Sequence, residues 1–204
     1  MSDIQTALDA LNKKGFHAVY AADALEAYEH VRSLIGKDDS VGVGGSMTLV
    51  QTGILDALAC GRSAVYSSEL AGRRRESKDE ARRLGMTADV YITSTNALTL
   101  EGDLVNIDGA GNRVAAMLYG PRKVIVVAGR NKLTRNPHTA VARIKKDACP
   151  PNARRLGLAT PCGMTGICAD CDSPQRMCNV VVRIQWPLHG REYHVVLIDG
   201  DYGF

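Results

Sequence analysis

Short apolar stretches typical of strands alternate with amphipathic stretches typical of helices through most of the chain. Residues 4–13 carry apolar side chains at helical spacing, and residues 16–20 read as a strand. The same pattern predicts helices over 22–35, 48–59 and 69–84, and strands over 40–44, 63–66, 88–92, 103–108, 113–118 and 123–127. Such alternation predicts an α/β fold with a Rossmann-like, mostly parallel sheet and helices on both faces. Ligands bind these sheets outside the carboxyl ends of the strands.

The last third of the chain departs from this alternation. A helix is predicted from Pro137 toward Cys149, followed by a cysteine-rich loop. A final strand pair, 180–185 and 193–198, follows with turn residues between the two strands. With 45% hydrophobic content in 204 residues, one core is sufficient. Residues 1–204 are therefore predicted to form a single α/β domain with a cysteine-rich insertion at about 149–179.

Four of the chain's six cysteines lie within residues 162–178. They are Cys162, Cys168, Cys171 and Cys178, and the middle two form a C-x2-C pair. That spacing lets two sulfur atoms converge on one centre, so these four thiolates are predicted to hold a metal. Cys149 lies outside the tight segment, beside two prolines.

Three states of these thiols remain open. Zinc prefers two short knuckles, and only one is present; an iron–sulfur cluster tolerates irregular spacing, which favours a [4Fe–4S] cluster over zinc. Disulfides or free thiols are the third state. Residues 1–5 lack the basic start and apolar run of a signal peptide, so we expect reduced thiols in a cytoplasmic protein.

The composition argues against two classes of partner. The formal net charge is only +3 and aromatic residues make up 5% of the chain, whereas nucleic-acid binding favours interleaved basic and aromatic residues. No apolar run approaches the length of a membrane span. We therefore expect neither nucleic-acid binding nor a membrane span.

A glycine-rich turn follows the predicted strand 40–44. Gly44, Gly45, Ser46 and Thr48 lie where that strand ends and a helix begins, a place where backbone N–H groups and hydroxyls can bind a carboxylate or phosphate. The alternative is a tight turn in which Ser46 caps the helix.

Two polar loops follow later strands and are predicted to form other walls of the same pocket. Their candidate residues are Asn96, Glu101, Asp108, Asn112 and Arg113. The alternative is that Asp108 and its neighbours only form a turn. Arg130 and Lys132, which follow the strand 123–127, are either an anion-binding pair or part of an exposed loop.

The segments GGSMTL, TSTNALTLEG, NIDGAGNRVAAMLYGP and KVIVVAGRNKL, followed by the cysteine series, resemble the LUD-domain family of lactate utilisation proteins. The resemblance implies a fold like the NagB/RpiA/CoA-transferase group and places this chain in a branch with a cysteine-rich tail. Family members are linked to oxidation of lactate to pyruvate beside iron–sulfur and flavin-linked subunits. The four residues of the glycine-rich turn and the five of the polar loops align with the family's motifs, and the resemblance adds Thr99 to the candidate residues.

Two classes of function follow from these observations. The first is a redox component in which a cluster passes electrons while the pocket binds a small hydroxy or oxo acid. The alternatives are a non-redox, CoA-transferase-like enzyme, with Glu101 and Asn96 as catalytic residues, and a binding module with a structural zinc. The expected partners are a small carboxylate or phosphate-bearing molecule, a redox partner protein and a second copy of the chain.

Overall fold

The structure, a computed structural model, describes residues 2–61 and 63–204. In chain order the strands are β1 His17–Ala21, β2 Val41–Val43, β3 Val65–Ser67, β4 Val90–Thr93, β5 Ala97–Thr99, β6 Leu104–Asp108, β7 Lys123–Gly129, β8 Leu133–Thr134, β9 Val180–Ile184 and β10 Glu192–Ile198. The α-helices are α1 Asp3–Lys13, α2 Ala24–Ser33, α3 Met47–Gln51, α4 Ile54–Ala59, α5 Ser68–Arg74, α6 Lys78–Met86, α7 Asn112–Tyr119, α8 Pro137–Arg143, α9 Cys149–Arg155 and α10 Pro161–Thr165. A 3-10 turn spans Arg130–Lys132, and a π-helical turn, Ile144–Ala148, joins α8 to α9.

The main sheet has six strands in the order β1-β10-β7-β4-β2-β3, and every described pair is parallel. Alternate residues of β7 face opposite sides: Val124 and Val126 join the cluster that includes α1 and α7, whereas Ile125 and Val127 join the cluster that includes α2 and α4. Both faces of the sheet are therefore covered by helices, as expected for a parallel sheet. The predicted α/β fold with a mostly parallel sheet is confirmed.

A smaller, four-stranded sheet lies beside the main one in the order β8-β5-β6-β9. Strands β5 and β6 form an antiparallel hairpin, and β9 pairs antiparallel with β6. The π-helical turn packs on this sheet, where Ile144 and Cys149 share a buried cluster with Ile107 of β6. The small sheet thus connects the main sheet to the cysteine-rich segment.

Two predicted strand assignments are wrong. Residues 113–118 belong to helix α7, because Val114 and Met117 lie three residues apart on the buried face and Gly111, at φ +80°, turns the chain into the helix. The final two strands do not pair with each other. β9 lies in the small sheet, whereas β10 lies between β1 and β7 and is buried on both sides.

Two long predicted helices are each divided in two. Gly53, at φ +73°, separates α3 from α4, and Arg75, at φ +60°, ends α5 before α6. The left-handed backbone at these residues cannot continue a helix. Within residues 2–61 and 63–204, no helix combines the length and the apolar character that crossing a membrane requires.

Helix α6 packs closely against β2 through two glycines. A Cβ added to Gly42 would lie 2.7 Å from the Cα of Gly85, and one added to Gly85 would lie 3.3 Å from the Cα of Gly42. Because backbone atoms cannot move aside as a flexible side chain can, this contact requires glycine at position 42.

We therefore expect Gly42→Ala to lower the free energy of unfolding by about 1–3 kcal/mol, the usual cost of overpacking. Urea denaturation measures the loss. Gly45→Ala is the matched control, since a Cβ there meets no atom within 4 Å. Equal losses in the two variants would contradict the proposed helix-to-strand contact.

Candidate functional site

A pocket of about 300 Å³ lies at the carboxyl edge of the main sheet. From β3, at one edge of the sheet, the chain crosses to β4 on the other side of β2, so the winding of the sheet reverses between β2 and β4. Ligands of open α/β sheets bind at such a reversal. Gly44 follows β2, Ser94 follows β4, and both line the pocket.

The glycine-rich turn forms one wall of this pocket through Gly44, Gly45 and Ser46. A Cβ at Gly44 would lie 2.6 Å from Thr93 Oγ1, so this glycine permits close packing on β4. A Cβ at Gly45 meets no atom within 4 Å. Ser46 Oγ accepts a hydrogen bond from the backbone N–H of Leu49 at 3.2 Å, which caps α3. Since α3 has only five residues, its dipole adds little to anion binding.

Lys132 is the most unusual residue in the pocket lining, and sequence reasoning gave it no definite role. Its side chain is buried, with the residue only 3% exposed. Nζ donates to Thr48 Oγ1 at 2.8 Å, to Ser94 Oγ at 2.9 Å and to the Thr95 carbonyl at 3.1 Å. Burial, followed by the charges of two nearby arginines, lowers the pKa of Lys132 from 10.5 to about 7. The sequence signal for this site was the position of Lys132 shortly after the buried strand β7.

Thr48 does not line the pocket itself, but it is a hydrogen-bond partner of Lys132. It is fully buried, and besides accepting from Lys132 it donates to the Tyr202 carbonyl at 3.2 Å. The predicted residue Thr48 thus lies at the site as a hydrogen-bond partner of the lysine.

Arg113 of α7 is the buried centre of the polar loops. Its guanidinium donates to Asn106 Oδ1 at 2.6 Å and to Asn96 Oδ1 at 2.7 Å. It also donates to the carbonyls of Ser94 and Ile107 at 3.1 Å, and its Nε lies 3.3 Å from Asp108 Oδ2. Burial is the main effect on the pKa of Arg113 and lowers it. With these hydrogen bonds made, Arg113 holds both polar loops in place.

Three other predicted residues line the pocket with Arg113: Asn96, Asp108 and Asn112. Asn96 Oδ1 accepts from Arg113 and from the backbone N–H of Ile107. Asp108 Oδ1 accepts from the backbone N–H of Gly111 at 2.8 Å. Asp108 therefore stabilises the turn and also lines the pocket.

The structure does not bring Thr99 and Glu101 to this pocket. The hairpin runs away from the pocket along β5 and returns along β6, and Glu101 lies exposed in the turn at its far end. Thr99 is buried at the same end, where its Oγ1 accepts from the backbone N–H of Asp103 at 2.9 Å. Glu101, the candidate base or nucleophile, therefore lies away from this pocket.

Arg143 of α8 is a second cation that sequence reasoning missed. It donates to the carbonyls of Asn96 at 2.7 Å and Asn131 at 3.2 Å, while its buried Nε has no described partner. Burial lowers the pKa of Arg143, and the charge of Asp147 partly opposes that effect. Arg143 had no sequence signal, because it lies on a helix outside the pocket-forming loops.

The cysteine-rich segment lies next to the pocket. Cys149, the first residue of α9, and Met177 both line the pocket. Cys149 is only 3% exposed, and burial, followed by the charges of Cys178, Cys168 and Cys162, raises its pKa to about 12. Three of the four predicted ligands are therefore near enough for their charges to act on Cys149.

The fourth predicted ligand, Cys171, is half-buried in the same irregular segment. Arg176 links it to Cys178: its guanidinium donates to the Cys171 carbonyl at 2.8 Å and to Cys178 Sγ at 3.4 Å. As the side chains stand in residues 2–61 and 63–204, no three His, Cys, Asp or Glu residues are arranged to hold a metal ion. The sixth cysteine, Cys60, is exposed at the end of α4.

We expect Arg113→Met to lower the free energy of unfolding by about 3–5 kcal/mol, because removing one partner of a buried ionic network leaves the others unpaired. Denaturation in urea would measure this loss. Arg155→Met is a suitable control, since Arg155 lines the same pocket but is exposed. A loss at Arg113 no larger than at Arg155 would contradict its role as the centre of the polar loops.

The sequence matches the LUD domain family model over residues 4–198. The fold is similar to that of a DUF162 family protein from Deinococcus radiodurans, with a TM-score of 0.53 at 14% sequence identity, over 97% of this chain and 99% of that chain. At that identity the likeness shows the fold alone. No curated protein gives a significant sequence match. Because the family model spans almost the whole sequence, the chain belongs to the LUD-domain family.

Proposed function

We propose that this LUD-domain protein is a redox component that binds a small hydroxy or oxo acid beside an iron–sulfur cluster. The observation that carries the proposal is the shared wall: Cys149 and Met177 of the cysteine-rich region line the same pocket as Lys132. An acid bound in the pocket would lie next to the thiol-bearing segment. Oxidation of a hydroxy acid to an oxo acid releases two electrons and two protons, so a cluster beside the acid would pass the electrons one at a time to a redox partner protein.

The charge of the pocket supports an acidic ligand. Its described lining includes the basic residues Lys78, Arg82, Arg113, Lys132 and Arg155, against the acidic residues Glu69 and Asp108. This excess of positive charge in the lining attracts small anions, because charges are screened less inside a pocket than in open solvent.

The four predicted ligands for the cluster are Cys162, Cys168, Cys171 and Cys178. Their soft thiolate chemistry fits an iron–sulfur cluster, which would supply one-electron transfer when bound. Two basic residues lie beside them. Arg176 donates to Cys178, and the pKa of Lys145 is raised first by its hydrogen bond to Asp170 and further by the charges of Cys168 and Cys178. Positive charge at these positions favours ionised thiols.

Cys149 is proposed as a buried thiol that is not a cluster ligand. It packs with Ile144 and Ile107 in a buried apolar cluster, and its raised pKa favours the neutral thiol. A metal ligand must give up its proton. Because Cys149 lies at the pocket wall, it is nevertheless the alternative to Cys171 as the fourth ligand.

We expect anaerobically purified protein to be brown, with broad visible absorption that dithionite bleaches, as thiolate-ligated clusters behave. Cys171→Ser should abolish bound iron and increase protease cleavage within residues 149–179, because metal binding contributes folding free energy. Cys149→Ala should keep its iron. The matched control is Cys60→Ala, which removes an exposed thiol on α4.

Colourless protein with stoichiometric zinc would replace the redox proposal by the structural-zinc alternative. Loss of iron in Cys149→Ala but not in Cys171→Ser would instead keep the cluster and change its ligand set.

Acid binding is tested at Gly45. A Cβ at this position meets no atom within 4 Å and Gly45 lines the pocket, so Gly45→Val should reduce the space for a ligand without disturbing the fold. We expect pyruvate, L-lactate or inorganic phosphate to bind the wild-type protein and to lose at least about tenfold in affinity in Gly45→Val. Titration calorimetry measures the affinity, and Gly45→Ala should give a smaller loss. Unchanged affinity in a folded Gly45→Val protein would show that the acid binds elsewhere.

A further inference from the structure

The Lys132 ammonium group is bound in the pocket by neutral groups. Its three partners, Thr48, Ser94 and Thr95, are all neutral, and no described acidic side chain forms an ion pair with it. A buried ammonium group with only neutral partners carries a large desolvation cost. The cost falls if the amine gives up its proton or if an anion enters the pocket.

The charges that face Lys132 from neighbouring elements make this cost larger. Arg113 of α7 and Arg143 of α8 both oppose its charge. The two acidic side chains described in the pocket lining already have cationic partners: Asp108 of β6 is paired with Arg113, and Glu69 of α5 with Arg73. An arginine keeps its proton under all relevant conditions, whereas a lysine does not.

The hydrogen bonds around Lys132 suit both of its protonation states. As an ammonium it donates to all three partners, while Thr48 Oγ1 donates to the Tyr202 carbonyl and Ser94 Oγ to the Thr95 carbonyl. As a neutral amine it has two N–H groups and a lone pair. The Ser94 hydroxyl can donate to that lone pair by turning its proton toward Nζ, because the Thr95 carbonyl keeps its hydrogen bond from Lys132. Neither state leaves a buried polar atom without a partner.

We propose that the pocket binds a small organic anion together with one proton, and that Lys132 is the residue that takes up this proton. The inference rests on the acid-binding part of the proposed function and deepens it. In the empty pocket the amine is largely neutral at mildly alkaline pH. When the carboxylate enters, its charge compensates the ammonium form, so anion and proton bind as a pair.

The sign of the pH dependence follows from the lowered pKa of Lys132. The empty site holds the proton below about pH 7 and loses it as the pH rises through 7. Other groups at the pocket stay protonated over this range: burial raises the pKa values of the Cys149 thiol and of the Tyr91 hydroxyl, which lies next to Gly44. Anion affinity should therefore be constant at acid pH and fall by up to about tenfold per pH unit above 7.

The test is calorimetric titration of the full-length protein with pyruvate, which stays ionised throughout. At about pH 8, the binding heat is measured in two buffers with different ionisation enthalpies, which counts the protons taken up. We expect an uptake of between zero and one proton per pyruvate bound, which should vanish at about pH 5.5. Lys132→Met should lose the uptake and weaken binding at about pH 7 by about tenfold or more.

Lys123→Met is the matched control. Lys123 lies at the opposite end of β7 and donates to the Leu34 carbonyl, outside the pocket. It should bind pyruvate and take up protons as the wild-type protein does.

The outcomes separate the two proposals. If pyruvate binds the wild-type protein at about pH 8 without proton uptake, the role of Lys132 is wrong and the acid-binding function stands. If uptake persists in Lys132→Met, another residue carries the proton and the inference is also wrong. If pyruvate binds under none of these conditions, both the acid-binding function and the inference fail.

Discussion

The buried guanidinium of Arg113 is the interaction on which the candidate site depends. It reaches from α7 to the carbonyl of Ser94, just after the main-sheet strand β4, and to Asn106 on β6 of the small sheet. One planar cation with five donors can bind acceptors from two sheets at once. The loop between the two sheets, from Ser94 to Asn96, is thereby fixed in the position where it meets Lys132.

That fixed loop has an electrostatic consequence. The carbonyl and hydroxyl groups that accept hydrogen bonds from Lys132 are neutral. Asp108 pairs with Arg113 and the charge of Asp147 acts on Arg143, but neither carboxylate forms an ion pair with Lys132. Burying such charges without a counter-ion costs free energy in the empty site, and a bound anion would lower that cost. The placement of the cysteine-rich segment at the same pocket is the reason for proposing that the anion takes part in redox chemistry.

Sequence patterns were reliable where the chain itself determines the local structure. The buried strands β2, β4 and β7 have the apolar runs that the parallel sheet requires, and the family resemblance read from the glycine-rich turn and polar loops is confirmed by the family match over residues 4–198. The pattern misled at residues 113–118, because a short apolar run suits either a strand or one face of a helix. The hairpin expected at the end of the chain was wrong, because strand pairing is decided by distant partners.

The sequence by itself determined the α/β class, the glycine-rich turn after β2 and the crowding of thiols at residues 162–178, since each depends on neighbours in the chain. Only the tertiary structure decided which of the polar residues meet. It placed Glu101 at the far end of the β5–β6 hairpin, and it brought Lys132 to the pocket, where the charge of Arg143 acts on it. The physical reason is that burial and charge at a residue are set by side chains far away in sequence. No local pattern can therefore reveal a lysine that is buried and whose described hydrogen-bond partners are all neutral.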